Sequence, residues 1–257
     1  MSPAALTITD ATVDFGAGPV LDRVSLDVAA GEFVCVVGAS GSGKTTLLNA
    51  IAGLVELDGG TVAVDGRQVA GPGPDRAVVF QDDAVFPWLT VARNAAFGLQ
   101  TQGVAKAARR ERVAEVLATV GLTGHEDQWP RELSGGMRKR VDLARALAVR
   151  PPVLLMDEPY GALDMLTKEK LQGDLDTIVS HEGMTVVFVT HDLEEAVFLA
   201  DRVVILASHP GRVAAEVQIP FARPRDPELR LTPDFQALRG EVLHHLQAVA
   251  GPAGVAA

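Results

Sequence analysis

Cysteine is almost absent. Cys35 is the only one in 257 residues, so no intrachain disulfide can form, and a reducing, cytosolic compartment fits that usage. Long apolar runs are also missing: no stretch reaches the roughly 18 apolar residues that a membrane-spanning helix needs. The start, Met1-Ser-Pro-Ala-Ala-Leu6, has neither the basic residues nor the apolar core of a signal peptide. Any service to a membrane is therefore expected from the cytosolic side, through a partner. Positive charge is in short supply. The 33 acids against 23 bases leave a net charge of -10, which provides no general attraction to nucleic acid or anionic lipid. Internal repeats and low-complexity segments are lacking too.

The rest is ordinary globular composition, with 47% apolar and 22% charged residues. A chain of this length buries roughly 70–75% of its unfolded surface and makes one large domain or two small ones. Leu6 to Phe15 and Val24 to Val28 alternate like strands, with a turn at Gly16 to Pro19. Phe33 to Val37 is continuously apolar and reads as a strand buried on both faces. Thr61 to Val64, Ala77 to Phe80, Val153 to Met156, Thr185 to Val189 and Val203 to Leu206 are further short strands, and Arg212 to Ile219 is a late edge strand. Helices are expected from about Lys44 to Gly53, through Leu89 to Leu133 (Val113, Val116, Leu117 and Val120 on one face), from Ser134 onward, and from about Phe235 to Val249. Strands separated by helices predict a mostly parallel α/β sheet. Past Pro220 the chain turns proline-rich.

Gly38-Ala39-Ser40-Gly41-Ser42-Gly43-Lys44-Thr45 fits the P-loop pattern, and it follows a buried strand and opens a helix as that pattern requires. Glycines at 38, 41 and 43 let backbone N–H groups turn inward. Those donors, with the helix N-terminus behind them, bind phosphate. Lys44 adds a full charge between the β- and γ-phosphates, the Thr45 hydroxyl can ligate Mg²⁺, and Thr46 can reach the α-phosphate. A second acidic site ends the strand Val153 to Met156. Asp157 can hold the magnesium shell and Glu158 can polarise the attacking water, at the strand end where open α/β sheets bind ligands.

Four further stretches carry a family resemblance. Leu133-Ser134-Gly135-Gly136-Met137-Arg138-Lys139-Arg140 resembles the signature motif of ATP-binding cassette (ABC) ATPases, although many members carry glutamine where Met137 stands. Gly161-Ala-Leu-Asp164 resembles their D-loop, Thr190-His191-Asp192 their switch histidine, and Gln81 their Q-loop glutamine. Phe15 occupies the place of the aromatic that stacks on adenine. The resemblance runs from about residue 6 to residue 210 with the motifs in order. It implies a P-loop NTPase (RecA-like) core with an N-terminal antiparallel β subdomain and an inserted helical subdomain at about 89–133. The cassette would span 1–220, followed by a C-terminal proline-rich segment and helix at 221–257. ATP and Mg²⁺ are the implied ligands, with Gln81 completing the metal set of Thr45 and Asp157. Two copies would pair head to tail, Ser134, Gly135 and Gly136 of one holding the γ-phosphate bound by the other's P-loop. Asp164 would be among the nucleotide-binding residues, and His191 would contact the γ-phosphate and help orient the attacking water.

Within the family the chain is similar to the nitrate/sulfonate/taurine importer group. The residues that carry this are Phe80-Gln-Asp-Asp-Ala-Val-Phe86-Pro-Trp88-Leu-Thr-Val91, Asn94-Ala-Ala-Phe-Gly98, Glu194 to Val203, Pro210 to Val213 and Pro220 to Arg225. The implied role is an ATPase subunit on the cytoplasmic face of a membrane. It would drive a separate permease fed by an extracytoplasmic solute-binding protein, with no nucleic-acid partner. Phe86 and Trp88 either dock that permease or pack between subdomains. The alternative is a soluble ABC ATPase of iron–sulfur cluster assembly; DNA-repair types need a longer insert, and a P-loop kinase or GTPase leaves the 133–137 motif unexplained. Cys35 is expected to be inert, His125, His181 and His209 to lie in surface loops, and Lys168 to Lys170 to form a solvated helix face. His244 and His245 point in different directions and cannot share a metal.

Overall fold

The computed structural model describes residues 4–82, 84–161 and 163–250. Asp83 and Ala162, quoted above inside two motifs, lie outside the described residues, as do the two chain ends.

The chain opens with an antiparallel hairpin, β1 (Ala4–Asp14) and β2 (Pro19–Ala29). β3 (Phe33–Gly38) leads through the glycine-rich loop into α1 (Lys44–Ala52). β4 (Gly59–Val64) and β5 (Arg67–Gln68) return to the hairpin, completing an antiparallel sheet in the order β2-β1-β4-β5. β6 (Arg76–Val79) begins a second sheet. The helical insert follows as α2 (Val91–Thr101) and α3 (Lys106–Thr119), and α4 (Gly135–Ala148) runs back to the sheet. β7 (Val153–Asp157), α5 (Met165–Glu182), β8 (Thr185–Val189), α6 (Leu193–Leu199), β9 (Arg202–Ala207) and β10 (Arg212–Gln218) then alternate. The second sheet has the order β10-β9-β3-β8-β7-β6 and is parallel except for β10, which pairs antiparallel with β9. A short 3-10 segment (Pro227–Leu231) precedes α7 (Pro233–Ala250).

The period of two in the central strands assigns each side chain to one of two cores. Val34, Val36, Val153, Leu155, Val187 and Val189 face α1 and the antiparallel sheet, where Leu47, Leu48 and Ile51 meet them. Their neighbours Phe33, Cys35, Val37, Leu154, Met156 and Phe188 face the helices on the other side. Every residue of β3, β7 and β8 is buried. A fully buried valine or phenylalanine gains about 1.5–3 kcal/mol, more than the roughly 1–2 kcal/mol needed to order its backbone. That surplus explains why these runs become strands with no polar face. Cys35 sits in this core with its thiol pKa raised by burial, as an inert cysteine should.

Several expectations change. The insert is not helical throughout: α3 ends at Thr119, and the chain then runs in turns to a 3-10 segment at Pro130–Glu132. α5 and α6 are new as elements. His181 lies in the last turn of α5 rather than in a loop. Lys168 is no solvated face residue, because its Nζ lies 2.5 Å from Asp192 Oδ2 and 2.7 Å from Glu195 Oε1. Residues 221–250 pack onto the second core, where Phe235 and Val242 are buried beside α6, β9 and β10.

Candidate active site

The loop between β3 and α1 is a tight cradle. Gly43 caps α1 at φ +89°, in the left-handed region that glycine tolerates best. A Cβ on Gly38 would come within 2.5 Å of Ser42 Oγ and 2.7 Å of the Leu206 carbonyl, so any side chain there would close the loop. Lys44 Nζ folds over it, donating to the carbonyls of Gly38 (2.8 Å) and Ala39 (3.0 Å). Burial lowers the Lys44 pKa, with Glu158 and Asp157 opposing that shift. Ser42 Oγ and Asp157 Oδ1 are buried without a hydrogen-bond partner, which is costly unless a ligand completes them. Burial also raises the Asp157 pKa, against a hydrogen bond from Thr45. A threonine hydroxyl, an aspartate oxygen and the Gln81 amide are hard oxygen donors of the kind Mg²⁺ selects, so the residues present fit the metal.

Glu158 stands just past β7 at φ +43°, a strained conformation for a non-glycine residue. Its N–H bonds the Val189 carbonyl at 2.9 Å, pinning the turn to β8. Its carboxylate is held from two sides: Gln81 Nε2 donates to Oε2 at 3.3 Å, and His191 Nδ1 lies 3.1 Å from the same oxygen. The cleft bounded by these groups measures about 670 Å³ and is lined by Val20, Gly38, Ser40 to Thr46, Gln81, Glu158 and His191.

Phe15, Ser134, Gly135, Gly136 and Asp164 do not line that cleft. Phe15 is 65% exposed beyond β1. Ser134 caps α4, its Oγ accepting from Met137 N–H at 3.2 Å, and it is exposed with Gly135 beside it. The first N–H groups of that helix have no i−4 carbonyl to bond, as at any helix start, and Ser134 Oγ satisfies that of Met137. Asp164 caps α5 in the same manner, accepting from Thr167 N–H at 3.1 Å.

Two groups of supporting residues went unnoticed in the sequence. Thr190 Oγ1 donates to Glu195 Oε2 (2.5 Å) and accepts from Asp192 N–H (3.0 Å), while Asp192 Oδ1 caps α6. Asp192 and Glu195 stand three apart ahead of an apolar run, the spacing of a capping box, which was the signal available. On α4, Lys139 Nζ donates to the carbonyls of Phe80 and Gln81, the latter at 2.9 Å, and Arg145 donates to the Ala84 carbonyl at 2.5 Å. These bonds fasten the Gln81 segment to the helix that Ser134 caps.

A larger groove, about 1070 Å³, lies between α2 and α3, away from the cradle, with Leu89, Ala92 and Phe97 among its apolar lining and Arg93, Arg109 and Arg110 among its charged lining. Phe86 packs beneath its rim against Trp88 (5.5 Å), Phe97 (4.6 Å) and Arg145 (4.7 Å). Trp88 itself is 67% exposed.

The six-stranded α/β sheet, the glycine-rich cradle at the C-terminal end of its interior strand β3 and the acid pair at the end of β7, one strand beyond β8, define a P-loop NTPase with a helical insert. The sequence profile of the ABC transporter family matches residues 21–161, and the chain belongs to that family. It is 52% identical over 208 residues to the taurine import ATP-binding protein TauB of Burkholderia pseudomallei, covering 81% of this chain and 80% of that relative. It is 49% identical over 218 residues to the nitrate import ATP-binding protein NrtD of Synechocystis sp., covering 83% and 82%. Among solved structures, the dimeric bacterial ABC transporter cassette MJ0796 superposes with a TM-score of 0.76 at 32% identity, covering 84% of this chain and 100% of that one. The post-hydrolysis state of the same cassette, bound to ADP and Pi, gives 0.75. The chain is an ATPase of this family.

Proposed function

We propose that this ATPase works as a head-to-tail pair on the cytoplasmic face of a membrane and drives import through a separate permease. The observation that carries the reading is the division of the motifs. The cradle, Gln81, Glu158 and His191 surround one cleft, and Ser134, Gly135, Gly136 and Asp164 lie outside it. A second copy supplies the missing wall. Its exposed helix start, with glycine N–H groups and no bulky side chain, takes the γ-phosphate from the far side. ATP then joins two chains, and cleavage of the phosphate releases them.

Within one site, Lys44 exchanges its carbonyl partners for phosphate oxygens. Backbone N–H groups of residues 40–44 hold the β-phosphate, the Thr46 hydroxyl holds the α-phosphate, and Phe15 stacks on the base. Thr45, Asp157 and Gln81 would hold Mg²⁺, which would supply positive charge to offset the negative charge that accumulates on the phosphates during transfer. Glu158 takes the proton of the attacking water, and His191 keeps that carboxylate oriented. The groove beside Trp88 receives a segment of the permease, and the loop fastened by Lys139 links that groove to Gln81. The names of the relatives, nitrate and taurine import ATP-binding proteins, support small anions of the nitrate/sulfonate/taurine type as cargo, and an extracytoplasmic solute-binding protein is the proposed source of it. No observation favours the iron–sulfur assembly alternative.

Glu158→Gln removes the proton acceptor and keeps the shape. It is expected to bind ATP, hydrolyse it about a hundredfold more slowly and elute as a dimer with ATP and as a monomer with ADP in gel filtration. A monomer in ATP would contradict the pairing.

A further inference from the structure

Beyond β10, three arginines turn back onto one short helix. Arg225 is buried, and its Nη1 donates to the carbonyls of Phe198 (2.7 Å) and Val197 (3.4 Å), while its backbone N–H bonds Asp176 Oδ2 at 2.8 Å. Arg223 donates to the Leu199 carbonyl and to Asp176, and its Nε reaches Asp201 Oδ1 at 3.0 Å. Arg230 lies 3.5 Å above the Phe198 ring, with Nη2 2.6 Å from Gln172 Oε1 and Nε 3.2 Å from Glu194 Oε1. Val197, Phe198 and Leu199 form the last turn of α6, and Glu194 lies in its first.

We propose that residues 223–230 are the positioning element for His191, clamping α6 so that the histidine just ahead of it keeps its place against Glu158. The inference rests on the role given to His191 above. α6 has only seven residues, too few for a helix to hold itself in water. Its C-terminal carbonyls need donors, and cations are the favoured ones at that end. Arg223 and Arg225 supply them. Burial draws the Arg225 pKa down to about 10, which leaves it charged at neutral pH.

At the other end Lys168 ties Asp192 and Glu195 together, and Glu195 holds Thr190. The residues on either side of His191 are thereby fixed to α6. The imidazole is 69% exposed, so packing around the ring does little, and the backbone sets where it points. A shift of α6 moves the ring relative to Glu158. The terminal segment thus acts on the reaction at one remove: its arginines touch neither ATP nor metal, and they determine how long the His191–Glu158 contact persists. Arg230 is the residue to test, because guanidinium stacking on Phe198 and pairing with Glu194 combine in one side chain that lysine copies only in part.

The experiment compares full-length Arg230→Met, Arg230→Lys and His191→Ala with the parent by steady-state ATP hydrolysis at a temperature well below the melting point of each. The His191 imidazole NMR resonance is followed in parallel and identified by its loss in His191→Ala. The expected result for Arg230→Met is kcat about tenfold lower with KM within about twofold, the split a misplaced catalytic group produces, and a shifted or broadened His191 resonance. Arg230→Lys is expected to fall between. Glu194→Gln, the milder removal of the same pair, replaces Arg230→Met if that variant does not fold and is expected to change kcat and the resonance in the same direction. A lowered melting temperature with unchanged kcat and an unmoved resonance would overturn the proposal, as would a rise in KM alone. If His191→Ala hydrolyses like the parent, the role of His191 falls and this inference with it; if His191→Ala is impaired and Arg230→Met is not, only the clamp falls.

Discussion

The cradle at 38–46 and the turn at 134–136 use the same chemistry, unpaired backbone N–H groups at a helix start aided by glycine, but in opposite settings. The cradle is walled in: Lys44 lies over it, Asp157 and Ser42 hold buried oxygens with no partner, and Gln81, Glu158 and His191 close its far side. The 134–136 turn is capped by Ser134 Oγ on Met137 N–H, and Ser134 and Gly135 are exposed. A site that must bind ATP in an isolated chain needs enclosure and charge. A site that must engage ATP only when another chain brings it needs to be open, shallow and complementary. Under the proposed pairing, the difference in burial between two like motifs is a difference in when each one acts.

Substitutions can break that contrast. The largest effect is expected from Lys44→Ala, which removes a full charge from the phosphate cradle. Hydrolysis should fall by about a hundredfold or more, measured as phosphate release, and ATP binding should weaken with it; parent-like turnover would remove the cradle from the chemistry. Ser134→Arg fills the open turn. It should reduce hydrolysis by about ten- to a hundredfold while leaving ATP affinity of the single chain, read with a fluorescent analogue, close to the parent's. A matching loss of affinity would mean that the turn belongs to its own chain's pocket. Trp88→Ala lies outside both halves. It should weaken association with the permease by about tenfold, read by co-purification and by transport in vesicles; unchanged coupling would assign Trp88 to packing alone.

The cradle was legible from its residue types at fixed spacing, and the 134–136 turn through the family resemblance of its motif. Their supports were not. β3, β7 and β8 could be read as buried strands since the runs Phe33–Val37, Val153–Met156 and Val186–Val189 are continuously apolar. α5 was missed because Gln172 and Asp176 interrupt its buried stripe of Leu171, Leu175 and Val179, and the partners that let them be buried, Arg230 and Arg223, come from far along the chain. α6 is too short for its period to register. Arginine burial in the terminal segment could not be foreseen for the same reason: a guanidinium goes inside only where carbonyls and carboxylates converge, and here they come from α5, α6 and the start of β9. The cavity beside Trp88 is lined by residues of both α2 and α3, a juxtaposition that no local pattern states. Lys168 illustrates the limit well, since the same residue reads as a solvated charge until Asp192 and Glu195 are brought to it.

Mixing two inactive chains tests the division of the site most directly. Lys44→Ala keeps its 134–136 turn, and Ser134→Arg keeps its cradle. Each should be nearly inactive alone. In an equimolar mixture allowed to exchange, half the pairs combine the two, and each such pair holds one intact site built from both chains. Activity should recover to roughly a quarter of the parent's, as two-fold symmetric pairing requires. A mixture no more active than the sum of its parts, with mixed pairs demonstrably formed, would mean that each ATP is handled within a single chain.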